Sequence, residues 1–136
     1  MAICYRIDPS RAMIFTIFAD TVTDSDFQDF MDALAQDPAF NPNFAHLVDW
    51  SQTVSFKIST AVIAAVARKQ LFSPHAKRAI VAPNDYIFGM ARMFQMQQDG
   101  SLEVFRSLAE AQEWLGISEK IVPEPLNHNH ARARSA

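Results

Sequence analysis

The chain contains only one cysteine and three glycines. A lone thiol, Cys4, excludes an internal disulfide framework and a multi-cysteine zinc site. So little glycine leaves no glycine-rich loop of the kind that wraps a phosphate. Charge is also sparse. Of the 136 residues, 12 are Lys or Arg and 15 are Asp or Glu, for a net charge of −3. That balance carries no nucleic-acid footprint. The basic pairs Arg68-Lys69 and Lys77-Arg78 are short and are offset by acids elsewhere. No apolar run reaches the roughly 18 residues that span a bilayer, so no stable membrane insertion is expected. Met1-Ala2-Ile3-Cys4-Tyr5-Arg6 has no basic segment leading into an apolar one. No signal peptide and a cytoplasmic location are therefore expected.

What is present is apolar: 49% of the residues, including 11 Phe and 6 Met. A chain of this length favours one domain and can bury about two-thirds of its unfolded surface. Ile3 to Asp8 and Ala12 to Ala19 flank the turn signal Asp8-Pro9-Ser10-Arg11, which predicts an antiparallel hairpin. Thr23 caps a helix in which Phe27, Phe30, Met31 and Leu34 share one face, and Asp37-Pro38 stops it. His46-Leu47-Val48-Asp49-Trp50 reads as a strand, and Ser51 to Ile58 as a polar connection. A helix then opens at Ser59 or Thr60, runs to about Leu71, and turns Ile63, Val66 and Ala67 inward. Ala79-Ile80-Val81-Ala82 is a short apolar strand of the kind buried on both faces of a parallel sheet. Asn84 and Asp85 introduce a helix from Tyr86 to Gln98. Leu102 to Phe105 reads as the last strand. The capping box Ser107-Leu108-Ala109-Glu110 then opens a helix that ends at Gly116.

The order is a β-hairpin followed by βαβαβα: an α/β fold with a mixed four- or five-stranded sheet and helices packed against it. Residues 1–116 form the domain. Residues 117–136 lack an apolar period beyond Val122 and read as a tail, partly disordered or loosely packed through Ile117, Ile121 and Val122.

Three groups of residues bear on function. Ser59 and Thr60, beside Lys57, stand at a helix N-terminus. There a hydroxyl caps the helix, or the free N–H groups hold an anion, or the hydroxyl accepts a phosphate. Asp49 and Ser51 stand at the expected end of a strand, the edge where open α/β sheets bind ligands, although Asp49 also suits an Asx turn. Met90, Arg92, Met93 and Phe94 crowd one helix, and further Phe residues sit in or beside loops. These residues suit a core, a homodimer surface or a pocket for a small amphipathic ligand, and Arg92 suits either a holder of a carboxylate headgroup or a surface charge. The histidines His46, His75, His128 and His130 complete no nucleophile–base pair and no metal set, so no catalytic residue, metal or cofactor is expected.

The element order across residues 2–116, together with Leu47-Val48-Asp49-Trp50-Ser51 and Ser59-Thr60, resembles the STAS family, the sulfate-transporter and anti-sigma-factor-antagonist domains. The segment 37–44, Asp-Pro-Ala-Phe-Asn-Pro-Asn-Phe, is similar to stand-alone, uncharacterised bacterial STAS-like proteins. The resemblance implies a STAS-like fold. It also implies a non-enzymatic regulatory module that binds a protein partner, with phosphorylation in the Ser59-Thr60 region controlling that binding. Here Ile58 stands where the motif has Asp, and Ala61 where it has Gly. The alternative drawn from the Phe and Met content is a carrier or sensor of a small amphipathic ligand or lipid.

Overall fold

A computed structural model describes residues 3–117. Its five strands are β1 (Ile3–Asp8), β2 (Met13–Thr23), β3 (Ala45–Lys57), β4 (Arg78–Val81) and β5 (Leu102–Phe105). Its four helices are α1 (Asp24–Gln36), α2 (Thr60–Lys69), α3 (Asp85–Gln95) and α4 (Leu108–Leu115). The strands lie in sequence order in one sheet, with β1 antiparallel to β2 and the others parallel. The expected α/β architecture is thus present, with five strands. The tail assigned to residues 117–136 falls outside the described residues except for Ile117.

The layering follows from the order of the strands. Each parallel step from β2 to β5 moves in the same direction, so right-handed crossovers place α1, α2 and α3 on one face. Strand residues alternate between two clusters accordingly. Ile14, Phe18, Trp50, Ile80 and Leu102 pack towards those three helices. Met13, Phe15, Leu47, Ala79 and Val81 pack on the other face, with Ala111 of α4. We call these the inner and outer faces.

Side-chain caps set the starts of all four described helices. Thr23 accepts from Asp26 N–H while Asp26 accepts from Thr23 N–H, a reciprocal box. Ser59, Asn84 and Ser107 cap α2, α3 and α4. α4 ends at Gly116 with φ 81°, a left-handed conformation that glycine adopts without a Cβ clash. Gly100, with φ 102°, lies so close to the Pro74 backbone that a Cβ would overlap it.

The polar connection expected over Ser51 to Ile58 is instead strand. β3 continues to Lys57, and β2 runs on past Ala19 to pair with it, Ala19 opposite Gln52 and Thr23 opposite Lys57. The pairing is long-range, and the polar local composition does not announce it. Two register shifts bend this ribbon, one beside Asp20 in the left-handed region at φ 58°. Thr53 Oγ1 donates to the Phe18 carbonyl at 2.8 Å across the bulge. The bend carries Phe56 and Ile58 over the inner face, against Trp50 and Tyr86. Helix ends also differ by a few residues from expectation: α2 stops at Lys69, where Gln70 turns left-handed, and α3 spans Asp85 to Gln95.

Candidate functional site

A partly open cavity of about 80 Å³ lies between the inner face and helices α1 to α3. The sheet supplies Phe18, Val48, Trp50 and Ile80; the ribbon supplies Phe56 and Ile58. α1 adds Phe27, Phe30 and Met31; α2 adds Ile63 and Val66; α3 adds Ile87, Met90, Ala91 and Phe94. With Phe72, six of the eleven phenylalanines line this cavity. Phe18 stacks on Trp50 at 3.9 Å between centroids and meets Phe30 edge-on at 5.4 Å, which stiffens the sheet side of the wall. The cavity's space exceeds the roughly 10–15 Å³ that a single water requires.

Charge enters this wall at one point, on β4. The strand begins on the inner phase with Arg78, which is only 5% exposed. Its register partners across the sheet are His46 and Leu102. Arg78 Nη1 donates to Gln98 Oε1 at 2.9 Å, and Gln98 Nε2 donates to the Ala67 carbonyl at 2.9 Å. Gln98 thus ties the guanidinium to the end of α2. Arg78 Nε and Nη2 are buried and have no hydrogen-bond partner. The guanidinium lies 5.2 Å from the Phe72 ring centroid. No carboxylate among the described residues forms an ion pair with it. Desolvation lowers its pKa from the ordinary value.

His46, beside it, is buried and neutral. Its Nε2 lies 2.8 Å from Thr16 Oγ1, and its ring stacks on Phe72 at 5.0 Å. Burial, then the adjacent Arg78 cation, push its pKa from 6.5 down to about 3. Thr16, His46 and Arg78 are the buried polar residues of the described chain and share the inner face.

The residues singled out from sequence occupy several places. Met90 and Phe94 line the cavity. Met93 packs half-buried against the core, and Arg92 is exposed and outside the lining. Ser59 and Thr60 are exposed at the start of α2. Ser59 Oγ accepts from Val62 N–H at 3.2 Å, and Ser59 N–H donates to Asp24 Oδ1 at 2.7 Å. Lys57 is exposed at the end of β3. Asp49 lies within β3, opposite the last residue of β4, with Oδ1 accepting from Ser51 N–H at 2.9 Å. Its phase puts it on the outer face, away from the cavity. Asp85 pairs with Arg106 at 2.6 Å. Cys4 lies half-buried in β1.

The sequence alone assigns Arg78 and His46 no role in a site. Their signal is one of phase: β4 alternates Arg78, Ile80 on one side and Ala79, Val81 on the other, and all four are buried. An arginine in phase with a fully buried strand face marks a cation held inside. No group of three or more metal-binding side chains occurs among the described residues. Among them, no helix is long and apolar enough to cross a membrane.

No protein-family model matches the chain, and no curated protein does. Among solved structures, the chain is similar to an uncharacterised protein of the DUF3478 family from Shewanella loihica, described as having a SpoIIAA-like fold. The two share 16% identity at a TM-score of 0.59, over 84% of this chain and 94% of the other. The expected STAS-like architecture is therefore present: the chain has a SpoIIAA-like fold.

Proposed function

We propose that this chain is a non-enzymatic binding protein, a carrier or sensor, for a small and largely apolar ligand held between the sheet and helices α1 to α3. The observation that carries this reading is the cavity itself, walled by aromatic and methionine side chains. Pockets of that composition recover apolar burial when filled, at about 25 cal/mol per Å² removed from water. Met31, Met90 and Phe94 give the helical wall side chains that can adjust to an occupant. The expected result is saturable binding of 1-octanol and of an environment-sensitive apolar dye to the full chain, with mutual displacement. Ala91→Leu, which fills the cavity from α3, is expected to abolish both. Dye and alcohol that fail to bind the native chain would count against the reading.

A second reading, a phosphorylation-tuned module for a protein partner, rests on the SpoIIAA-like fold and on the exposed Ser59 hydroxyl. Asp24 weakens it, because its carboxylate already accepts the Ser59 N–H and would repel a phosphate there. Mass spectrometry of protein from its native cells tests it. A phosphate on the peptide holding Ser59 and Thr60 supports it, and an unmodified peptide throughout growth removes its basis. Cytoplasmic residence and self-association belong to the same set of proposals. Sedimentation of the purified chain checks the latter.

A further inference from the structure

The ligand-binding reading names no headgroup, and Arg78 supplies one. Arg78 belongs to the cavity wall, is buried, and has two nitrogens covered by neighbouring side chains with no hydrogen-bond partner, so an oxygen reaches them by displacing that packing. Nε–H and one Nη2–H lie on the same edge of the planar guanidinium and point the same way, the geometry that receives two oxygens of one carboxylate. The other terminal nitrogen, Nη1, is engaged by Gln98, which holds the plane in place. Among the described residues that line the cavity, none besides Arg78 is ionised: the neighbouring His46 is neutral. One unbalanced positive charge calls for one negative charge, and the rest of the wall calls for hydrocarbon.

The geometry points to an apolar monocarboxylate, of the short or medium-chain fatty acid class, seated with its two carboxylate oxygens on the Nε–Nη2 edge of Arg78 and its chain among the phenylalanine and methionine side chains. This rests on the ligand-binding reading and narrows it. Arg78 is then the specificity determinant, and Gln98 is a positioning residue. The arrangement also explains why an arginine is tolerated there. A buried cation without a counter-charge is costly in the empty protein, and the bound carboxylate removes that cost.

The test is calorimetric titration of the full chain with four probes of equal chain length: octanoate, 1-octanol, octylamine and octyl phosphate. Octanoate is expected to bind about ten- to a hundredfold more tightly than octanol, the range for hydrogen bonds to a charged group. Octylamine is expected to bind worst. Arg78→Met is expected to erase the preference for octanoate while keeping octanol binding, which also shows that the variant is folded. It is expected to melt higher than the native protein without ligand. Gln98→Leu is expected to reduce the preference partially. Upon octanoate addition, the Arg78 Nε–H resonance is expected to shift strongly downfield, and upon octanol addition to move little. Equal binding of octanoate and octanol, or a preference that survives Arg78→Met, would overturn the carboxylate assignment and leave the apolar cavity reading intact. Tighter binding of octyl phosphate than octanoate would overturn the carboxylate class. Failure of all four probes would overturn the cavity reading together with this one.

Discussion

On the outer face of the sheet, α4 lies directly over Leu47, Ala79 and Val81, and Ala111 is completely buried at the contact. On the inner face, three helices carry larger side chains and leave a cavity between them and the strands. Cations divide the same way. On the outer side, Arg6 lies over the Phe15 ring at 4.9 Å and Lys77 over Trp114 at 4.4 Å, both near solvent. Lys77 also donates to the Trp114 carbonyl at 2.8 Å. One residue further along, Arg78 is buried with two nitrogens unpartnered. Lys77, the residue just before β4, and Arg78, its first residue, thus meet opposite fates because the extended backbone sends successive side chains to opposite faces. The outer face is built to hold the sheet together, and the inner face retains vacant volume and unmet hydrogen-bonding capacity at some cost in stability.

Truncation is the strongest way to break this contrast. Phe15→Ala on the outer face is expected to cost about 3–5 kcal/mol, because a close-packed site cannot collapse around the void. Phe94→Ala on the cavity wall is expected to cost less than half of that, since it enlarges a space that already exists. Urea unfolding of the two variants checks the pair. Equal losses would mean that the inner face is as tightly packed as the outer.

Acid provides the next largest effect, confined to the inner face. His46 takes a proton near 6.5 when unfolded and only at about 3 when folded. Between those values the unfolded chain binds the extra proton, so stability rises with pH there and is lost as pH falls from 6.5 towards 3. The loss approaches about 1.4 kcal/mol per pH unit, or roughly 2 kcal/mol at pH 5. His46→Gln keeps a hydrogen-bonding partner for Thr16 and cannot titrate in this range, so its stability curve is expected to be flatter from pH 6.5 downward. Identical acid limbs in the two proteins would remove His46 from the account.

Overpacking sharpens the comparison at smaller amplitude. Ala111→Leu pushes a side chain into the α4 contact and is expected to cost about 1–3 kcal/mol. Ala91→Leu adds the same volume into the cavity, so its cost is expected to be under about 1 kcal/mol. Its binding loss would then be steric rather than a consequence of unfolding. Thermal melts alongside octanol titrations separate the two effects.

These differences explain what could be read from the sequence. The hairpin turn, the caps at Thr23, Ser59, Asn84 and Ser107, and the glycine end of α4 are local, and local residues announce them. The outer half of β3 is not local. Ser51, Gln52 and Ser55 look like a polar loop, and they form strand only because β2 extends far enough to pair with them. The site was half legible. The excess of phenylalanine and methionine suits a core, a dimer surface or a pocket, and Met90 and Phe94 line a cavity. The cation suggested from sequence as its headgroup holder was Arg92, whose place among methionines is sequential rather than spatial. Two residues beyond Met90, it lies about 200° around the helix, on the exposed side. In the sequence Arg78 is one half of a short basic pair with Lys77, and nothing local distinguishes a buried arginine at a strand start from one that reaches water. Only the assembled helices show that Arg78 is buried.

The smallest expected effect compares two caps. Ser59 Oγ and Ser107 Oγ each accept one backbone N–H, from Val62 and Glu110, both at 3.2 Å. Replacing either with alanine is expected to cost about 1 kcal/mol in global stability. Their consequences for binding should differ, because α2 contributes Ile63 and Val66 to the cavity while α4 lies on the far side of the sheet. Ser59→Ala is expected to loosen the first turn of α2, read as faster amide exchange at Thr60 to Ile63, and to weaken octanol binding a few-fold. Ser107→Ala should speed exchange in α4 and leave octanol affinity unchanged. If Ser107→Ala weakened binding as much as Ser59→Ala, the two faces would be mechanically coupled through the short strands β4 and β5. The division of labour between a holding face and a binding face would then fail.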